Sequence, residues 1–507
     1  CVYSVFFFFF EQKTAYEMLR SLVGSEMCIR DSLLTCYSYF LPRWADWGQN
    51  ARLDLALAMV DEQTFSIDNY YQNTGDYAYF EGHYYLDKAP GPSFLAAPVY
   101  AIIRPILKLP IVQNVMMKIG ESGAFKSTLS ETGTGILANK VYFMIVLYIV
   151  TFLLCSIPSA WLGVMIYDQL SMFSLSHGWR FALVAIYGLA TPAFPYSGVF
   201  YSHQMCAFLL FTAFRLIHRM GQTRIQKGLV LLAGLLLGWS VISEYSTSLI
   251  AGAIFLYFIS QKPFRSKVVW LIAGGLIPGL LLAGFNWSVY HTILPVGYKY
   301  SINYEALHSV GIISISTPSL NALWGITFGN YRGLFFVAPI LFLGLFGYWT
   351  WWKSKQYRAI WWLSIWSVGS FFLFNGSSVM WQGGFSVGPR YLIPMLPFLM
   401  LSLSALTAHW KSQIWYRILF FISAIWSFAV VWVETIGGQS FPDWRLNPLF
   451  TYSIPNLAMG DIARTLGMAM GLQGWTSIVP LLLFVGCLFF LFLVIKRKIP
   501  IEPNQVS

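Results

Sequence analysis

An all-α polytopic membrane protein is the fold class that this 507-residue sequence predicts, on three observations. Its residues are 57% hydrophobic and only 10% charged, with a mean hydropathy of +0.60, which leaves too little polar surface to coat a soluble globule. Apolar runs near span length recur from residue 139 to residue 495. The net charge of +11 comes from Lys and Arg gathered in short loops between those runs, where they orient a chain in the bilayer. That placement argues against the nucleic-acid partner that a strongly basic soluble protein would suggest.

At the amino end, residues 1–32 (CVYSVFFFFFEQKTAYEMLRSLVGSEMCIRDS) resemble translated sequencing-adapter sequence and are expected to be non-native. The phenylalanine run followed by Glu11, Lys13, Glu17 and Arg20 lacks the basic start and small-residue cleavage site of a signal peptide. Residues 33–498 are expected to form one transmembrane domain, followed by a short cytoplasmic tail at 499–507. Leu33 to Leu41 reads as the end of a truncated first span, and residues 42–91 as a long first external loop. Within that loop, Leu53, Leu57 and Val60 alternate with Arg52 and Asp54 in the manner of a short amphipathic helix suited to the membrane interface.

Asp68 to Gly91 is a polar, tyrosine-rich island that cannot sit in hydrocarbon cheaply, so it belongs in a water-facing loop or cavity. The run from Pro92 to Pro110 is broken by Pro98, Arg104 and Pro105 and reads as a re-entrant element or a crossing. Eleven longer runs follow, near 139–167, 180–200, 203–219, 228–243, 246–260, 268–289, 333–352, 358–374, 389–408, 414–436 and 475–495, giving about 12–13 spans in all. Basic clusters around Arg215–Lys227, Lys262–Lys267, Lys353–Arg358, Lys411–Arg417 and Lys496–Lys498 read as cytoplasmic, which turns the intervening loops outward. Six cysteines with no CxxC pair read as inert buried thiols.

Two motifs carry the chemistry: QNAR at Gln49–Arg52 with its helix, then GHYYLDKAPG at Gly82–Gly91. They resemble the first-loop motifs of GT-C superfamily glycosyltransferases that use polyprenyl-phosphate sugars, such as aminoarabinose transferases and protein O-mannosyltransferases. Those enzymes commonly carry an acidic pair and an arginine, an amphipathic helix, then G-x-x-Y-x-x-K-P-P. The resemblance implies a GT-C-like bundle and an inverting hexosyl or pentosyl transfer to an acceptor hydroxyl at the external face of a bacterial inner membrane. It implies a polyprenyl-phosphate sugar donor, a lipid, glycan or protein acceptor, and membrane lipids as partners, with no nucleic acid.

A leaving lipid phosphate needs cations, and Lys88 matches the family's lysine before the proline turn; a snorkelling lysine is the alternative. A carboxylate must take the acceptor's proton, but Gln49 and Asn50 stand where the family has its acidic pair. Asp46, Asp68 and Asp76 are therefore the candidate bases, each equally readable as a loop aspartate capping a turn. His83 and Tyr85 are candidate substrate contacts, against an interfacial role. WQGGFSVGPRYLIP at Trp381–Pro394 places Arg390 at a helix mouth, and Arg332 enters another span on the same side, both suited to phosphate. Glu244, at a helix end in the membrane, is the remaining candidate. No cofactor is implied, and no cluster has metal-ligand spacing to support a divalent cation. A multi-span lipid or solute transporter or flippase remains open beside the transferase, as does a catalytically degenerate transferase lacking the acid pair.

Overall fold

The computed structural model describes residues 25–43, 46–121, 140–311, 314–438 and 446–487. The terminal basic cluster and tail, residues 1–24 and most of the segment following α4 (defined below) lie outside the described residues. The protein is an all-α polytopic membrane protein, with a single two-stranded hairpin among the described residues.

Helix α1 (Ser25–Tyr39) seats Ile29, Leu33 and Tyr37 in the core. Helix α2 (Trp47–Asp61) is capped by Asp46, whose side chain accepts from Gly48 N. Its turns from Gly48 to Ala58 are buried all round, Arg52 and Asp54 included. The one-sided exposure expected of this helix is absent, because α3 and the hairpin region cover its polar face.

The hairpin pairs β1 (Tyr77–Phe80) with β2 (His83–Leu86), antiparallel, from Tyr77 opposite Leu86 to Phe80 opposite His83. Its two-residue loop, Glu81–Gly82, has both φ values positive, at 49° and 89°. That is the primed turn whose twist matches the strands.

Helix α3 (Gly91–Leu107) starts at the KAPG turn, and α4 (Pro110–Glu121) folds back from it by 94°. Only Met116 of α4 is buried, whereas α3 buries Ala96, Ala97 and Tyr100 against its neighbours.

Beyond it, α5 (Lys140–Thr151) continues through a π-helical turn into α6 (Ile157–Gln169). Helices α7 (His177–Leu189), α8 (Ser202–Gln222), α9 (Lys227–Ser243), α10 (Ser248–Ser260) and α11 (Val268–Tyr290) follow. After a long loop come α12 (Leu320–Thr327), α13 (Ile340–Ser354), α14 (Arg358–Gly376), α15 (Leu396–Trp410) and α16 (Ile414–Ile436). Among the described residues, five helical stretches are long and apolar enough to cross a membrane singly, or six counting the broken pair. Most of the other expected runs form helices that are too short or too polar to meet that test, the 21-residue α8 among them.

Glycines set the closest approach. A methyl on Gly234 of α9 would overlap the carbonyl of Leu271, and one on Gly274 of α11 the carbonyl of Leu231. With Gly238 this is the small-residue contact by which lipid-embedded helices pack. At the other end of α9, Gly91 is pressed against the backbone of Ile242, and Trp239 donates to the Gly91 carbonyl at 3.2 Å. This contact fixes the KAPG turn beside the break between α9 and α10. Cys36, Cys155 and Cys206 are buried free thiols, whereas Cys28 is half-buried and Cys487 exposed.

Candidate functional site

Four segments meet over the α9–α10 break: the hairpin with Asp87 and Lys88, the residues leading into α8, the loop 297–308, and the glycine-rich turn before Arg390. Lys88 Nζ lies 3.3 Å from Asp87 Oδ2 and 3.4 Å from Asp76 Oδ1. Asp87 also accepts from Ser301 Oγ at 2.9 Å. The Lys88 side chain is 14% exposed and that of Asp87 is fully enclosed. Burial alone would lower the lysine's pKa, but the two carboxylates outweigh it and the ammonium is held above its usual value. Burial pushes Asp87 up, and Lys88 only partly offsets that rise. The rings of Tyr298 and Tyr304 stand 5.8 and 5.3 Å from Lys88 Nζ.

The second cation is Arg390. Its guanidinium lies 4.7 Å from the Tyr201 ring and 5.2 Å from the Tyr391 ring, with one long hydrogen bond of 3.5 Å to Tyr391 Oη. Its Nε is buried without a hydrogen-bond partner, and among the described residues no carboxylate forms an ion pair with it. Tyr201 Oη donates to Asp46 at 2.5 Å. Burial pushes the Asp46 carboxyl up, and the Tyr201 bond and the charges of Arg390 and Arg43 reduce that rise without cancelling it. Arg52 reaches the same tyrosine from 5.7 Å and donates to Ser202 Oγ at 3.4 Å. Ser202 donates in turn to Glu244 at 2.9 Å, and His203 Nδ1 stands 3.6 Å from the same carboxylate. The His203 ring meets Tyr391 edge to face at 5.3 Å. Tyr391 acts electrostatically on Lys88, and Arg390 on Asp46 and Tyr304, so the two cations share one polar pocket.

The structure thus brings Lys88, Arg390, Asp46, Asp76 and Glu244 together. It places Asp68, His83 and Tyr85 elsewhere. Asp68 accepts from Tyr84 N at 2.7 Å and pairs with His83 Nδ1 at 2.6 Å on the exposed side of the hairpin. Partial burial would raise its pKa, but these bonds hold it below the usual carboxylate range. Tyr85 packs against Tyr290 at 6.0 Å. Arg332 is fully buried and donates to the carbonyls of Gln382, Gly384 and Ser386. It fastens the turn in which Gly383, Gly384 and Gly388 take left-handed φ values of 71°, 61° and 58°. That turn delivers Arg390, so Arg332 acts on the site through another residue.

Sequence reasoning missed Asp87, Tyr201 and Tyr391. Asp87 stood unweighed inside the GHYYLDKAPG motif and Tyr391 beside Arg390, while Tyr201 had no motif to mark it. Gln49 and Asn50 are committed to backbone groups: Gln49 donates to the Arg43 carbonyl and accepts from Phe200 N, and Asn50 donates to the Asn73 carbonyl. Among the described residues no three His, Cys, Asp or Glu side chains converge as a metal site.

No family model and no curated protein matches the chain. Two solved structures of ArnT from Cupriavidus metallidurans are similar to it. The apo form gives a TM-score of 0.46 at 13% identity, covering 93% of this chain and 76% of that one. The form bound to undecaprenyl phosphate gives 0.43 at 12% identity, covering 95% and 77%.

Proposed function

We propose that the chain is a GT-C-type membrane glycosyltransferase that moves a sugar from a polyprenyl-phosphate donor to an acceptor hydroxyl at the external face of a bacterial inner membrane. The observation that carries this reading is Arg390, an arginine with a buried, unpartnered Nε and no carboxylate partner among the described residues, in the same pocket as Lys88. An arginine kept in that state is a preformed anion site, and its planar fork matches a phosphate. The KAPG motif, by its resemblance to the family's lysine-proline turn, adds Lys88 to the same anion.

In this reading the acceptor oxygen attacks the anomeric carbon, the bond from that carbon to the phosphate oxygen breaks, and the sugar inverts. Polyprenyl phosphate leaves with the bonding electrons, held by Arg390 and Lys88. Asp76 takes the acceptor's proton, since it sits beside Lys88 and has no capping duty of its own. Asp46 holds Tyr201 under the Arg390 guanidinium and positions it. The sugar is a hexose or pentose, and the acceptor a lipid, glycan or protein hydroxyl. Purified protein given radiolabelled polyprenyl-phosphate sugars with candidate acceptors tests this: release of polyprenyl phosphate is expected, and its absence across the panel would refute the transferase.

A further inference from the structure

We propose that His308 is a sugar-recognition residue of this site, presenting Nε2 as a hydrogen-bond acceptor to a hydroxyl of the lipid-linked donor's sugar. The inference rests on the transferase reading and goes beyond it to name how the sugar is selected.

The external loop that carries His308 is laced to the hairpin. Ser301 bridges to Ala78 and to Asp87, and Asn303 donates to the Gly75 carbonyl at 2.8 Å. This lacing sets the short helix Glu305–His308 against the pocket. The His308 ring stands 5.0 Å from Tyr298 and 6.1 Å from Tyr304, the same two rings that face Lys88. The lysine proposed for the phosphate and the imidazole therefore share aromatic walls, so a sugar joined directly to a phosphate on that lysine would come up beside the imidazole. Aromatic faces are also surfaces on which sugar rings pack.

The protonation pattern leaves a lone pair for it. Ser314 Oγ lies 2.8 Å from His308 Nδ1, and its own hydrogen goes to the Leu307 carbonyl at 3.1 Å. With that hydrogen on the Leu307 carbonyl, Nδ1 is the donor to Ser314 Oγ, and this tautomer leaves Nε2 unprotonated. Nε2 is buried and has no hydrogen-bond partner. Burial and then the Lys88 charge, against the pull of Asp76, hold the imidazole's pKa down to about 4, so Nε2 stays a lone-pair acceptor at neutral pH. A buried acceptor of this kind rejects ligands that leave it unmatched.

The test measures binding to the full chain in detergent, without acceptor, of bare polyprenyl phosphate and of polyprenyl phosphate carrying mannose, glucose or 4-amino-arabinose. The wild type should bind at least one sugar lipid more tightly than the bare lipid. His308→Leu should weaken that sugar lipid about tenfold, the worth of one hydrogen bond to a buried acceptor, and change the bare lipid less than about twofold. His308→Gln, which keeps an acceptor, should recover most of the loss. Unchanged bare-lipid binding also certifies the variants' fold. Equal wild-type affinity for bare and sugar lipids, or an unchanged ratio in His308→Leu, overturns the inference while leaving the transferase standing. Wild-type protein that binds none of the four lipids overturns both readings.

Discussion

Arg390→Ala separates a functional arginine from a structural one, because the two predict opposite changes in stability. When one partner of a buried ion pair is truncated, the orphaned charge typically destabilises a protein by about 3–5 kcal/mol. Arg390 has no such partner among the described residues; it rests on Tyr201 and Tyr391 and makes one long hydrogen bond. Its removal orphans no carboxylate, so the melting temperature should hold or rise slightly. A bound phosphate, in contrast, would lose charge-assisted hydrogen bonds worth about 1.5–3 kcal/mol each. Two such bonds from Nε and a terminal nitrogen give about 3–6 kcal/mol, or roughly 10²–10⁴ in affinity. Titration of detergent-solubilised protein with polyprenyl phosphate, by calorimetry beside a thermal melt, reads both quantities. Arg390→Lys keeps the charge but loses the fork, and should fall between wild type and alanine. A lower melting temperature with unchanged phosphate affinity would refute the reasoning and make Arg390 a packing residue.

Three further outcomes follow from the site. Asp76→Asn should cut transfer by about 10²–10⁴ while leaving polyprenyl-phosphate binding nearly intact, measured as single-turnover rate against Kd. Asp68→Asn should leave transfer within about threefold, since its exposed pair with His83 contributes only about 0–1 kcal/mol to the hairpin, and a large loss of turnover would restore it as a base candidate. Asp54 is buried in α2 with Asn73 donating to one oxygen at 3.0 Å, and burial pushes its carboxyl well up. A raised folded-state pKa stabilises fully below the unfolded value near 3.9 and less as pH climbs through the folded value. Melting temperatures of Asp54→Asn and wild type should thus converge at low pH, with the variant gaining as pH climbs above the unfolded value; parallel curves would contradict this.

The membrane class was legible because a composition poor in charge admits little else, and Lys88 and Arg390 were legible because each stands at a Pro or Gly turn opening an apolar helix. Their meeting was not, since it depends on the Gly91 contact with α9 and on Arg332 folding the 382–388 turn. Asp68 and Asp76 look alike in a loop. The strand register separates them, turning one out to His83 and leaving the other beside Lys88. Arg52 and Asp54 read as the wet face of a surface helix because nothing local announces that α3 and the hairpin will cover them. His308 gave no signal at all, because its tautomer depends on Ser314 and its walls on tyrosines that serve Lys88.

The amides at positions 49 and 50 limit the chemistry those positions can host. Each donates to a main-chain carbonyl, so Gln49→Glu or Asn50→Asp would set oxygen against oxygen where a hydrogen now bridges them. Installing carboxylates there is therefore not a point substitution but a rebuilding of the chain at Arg43 and Asn73, and a proton acceptor is cheaper to place on a different segment.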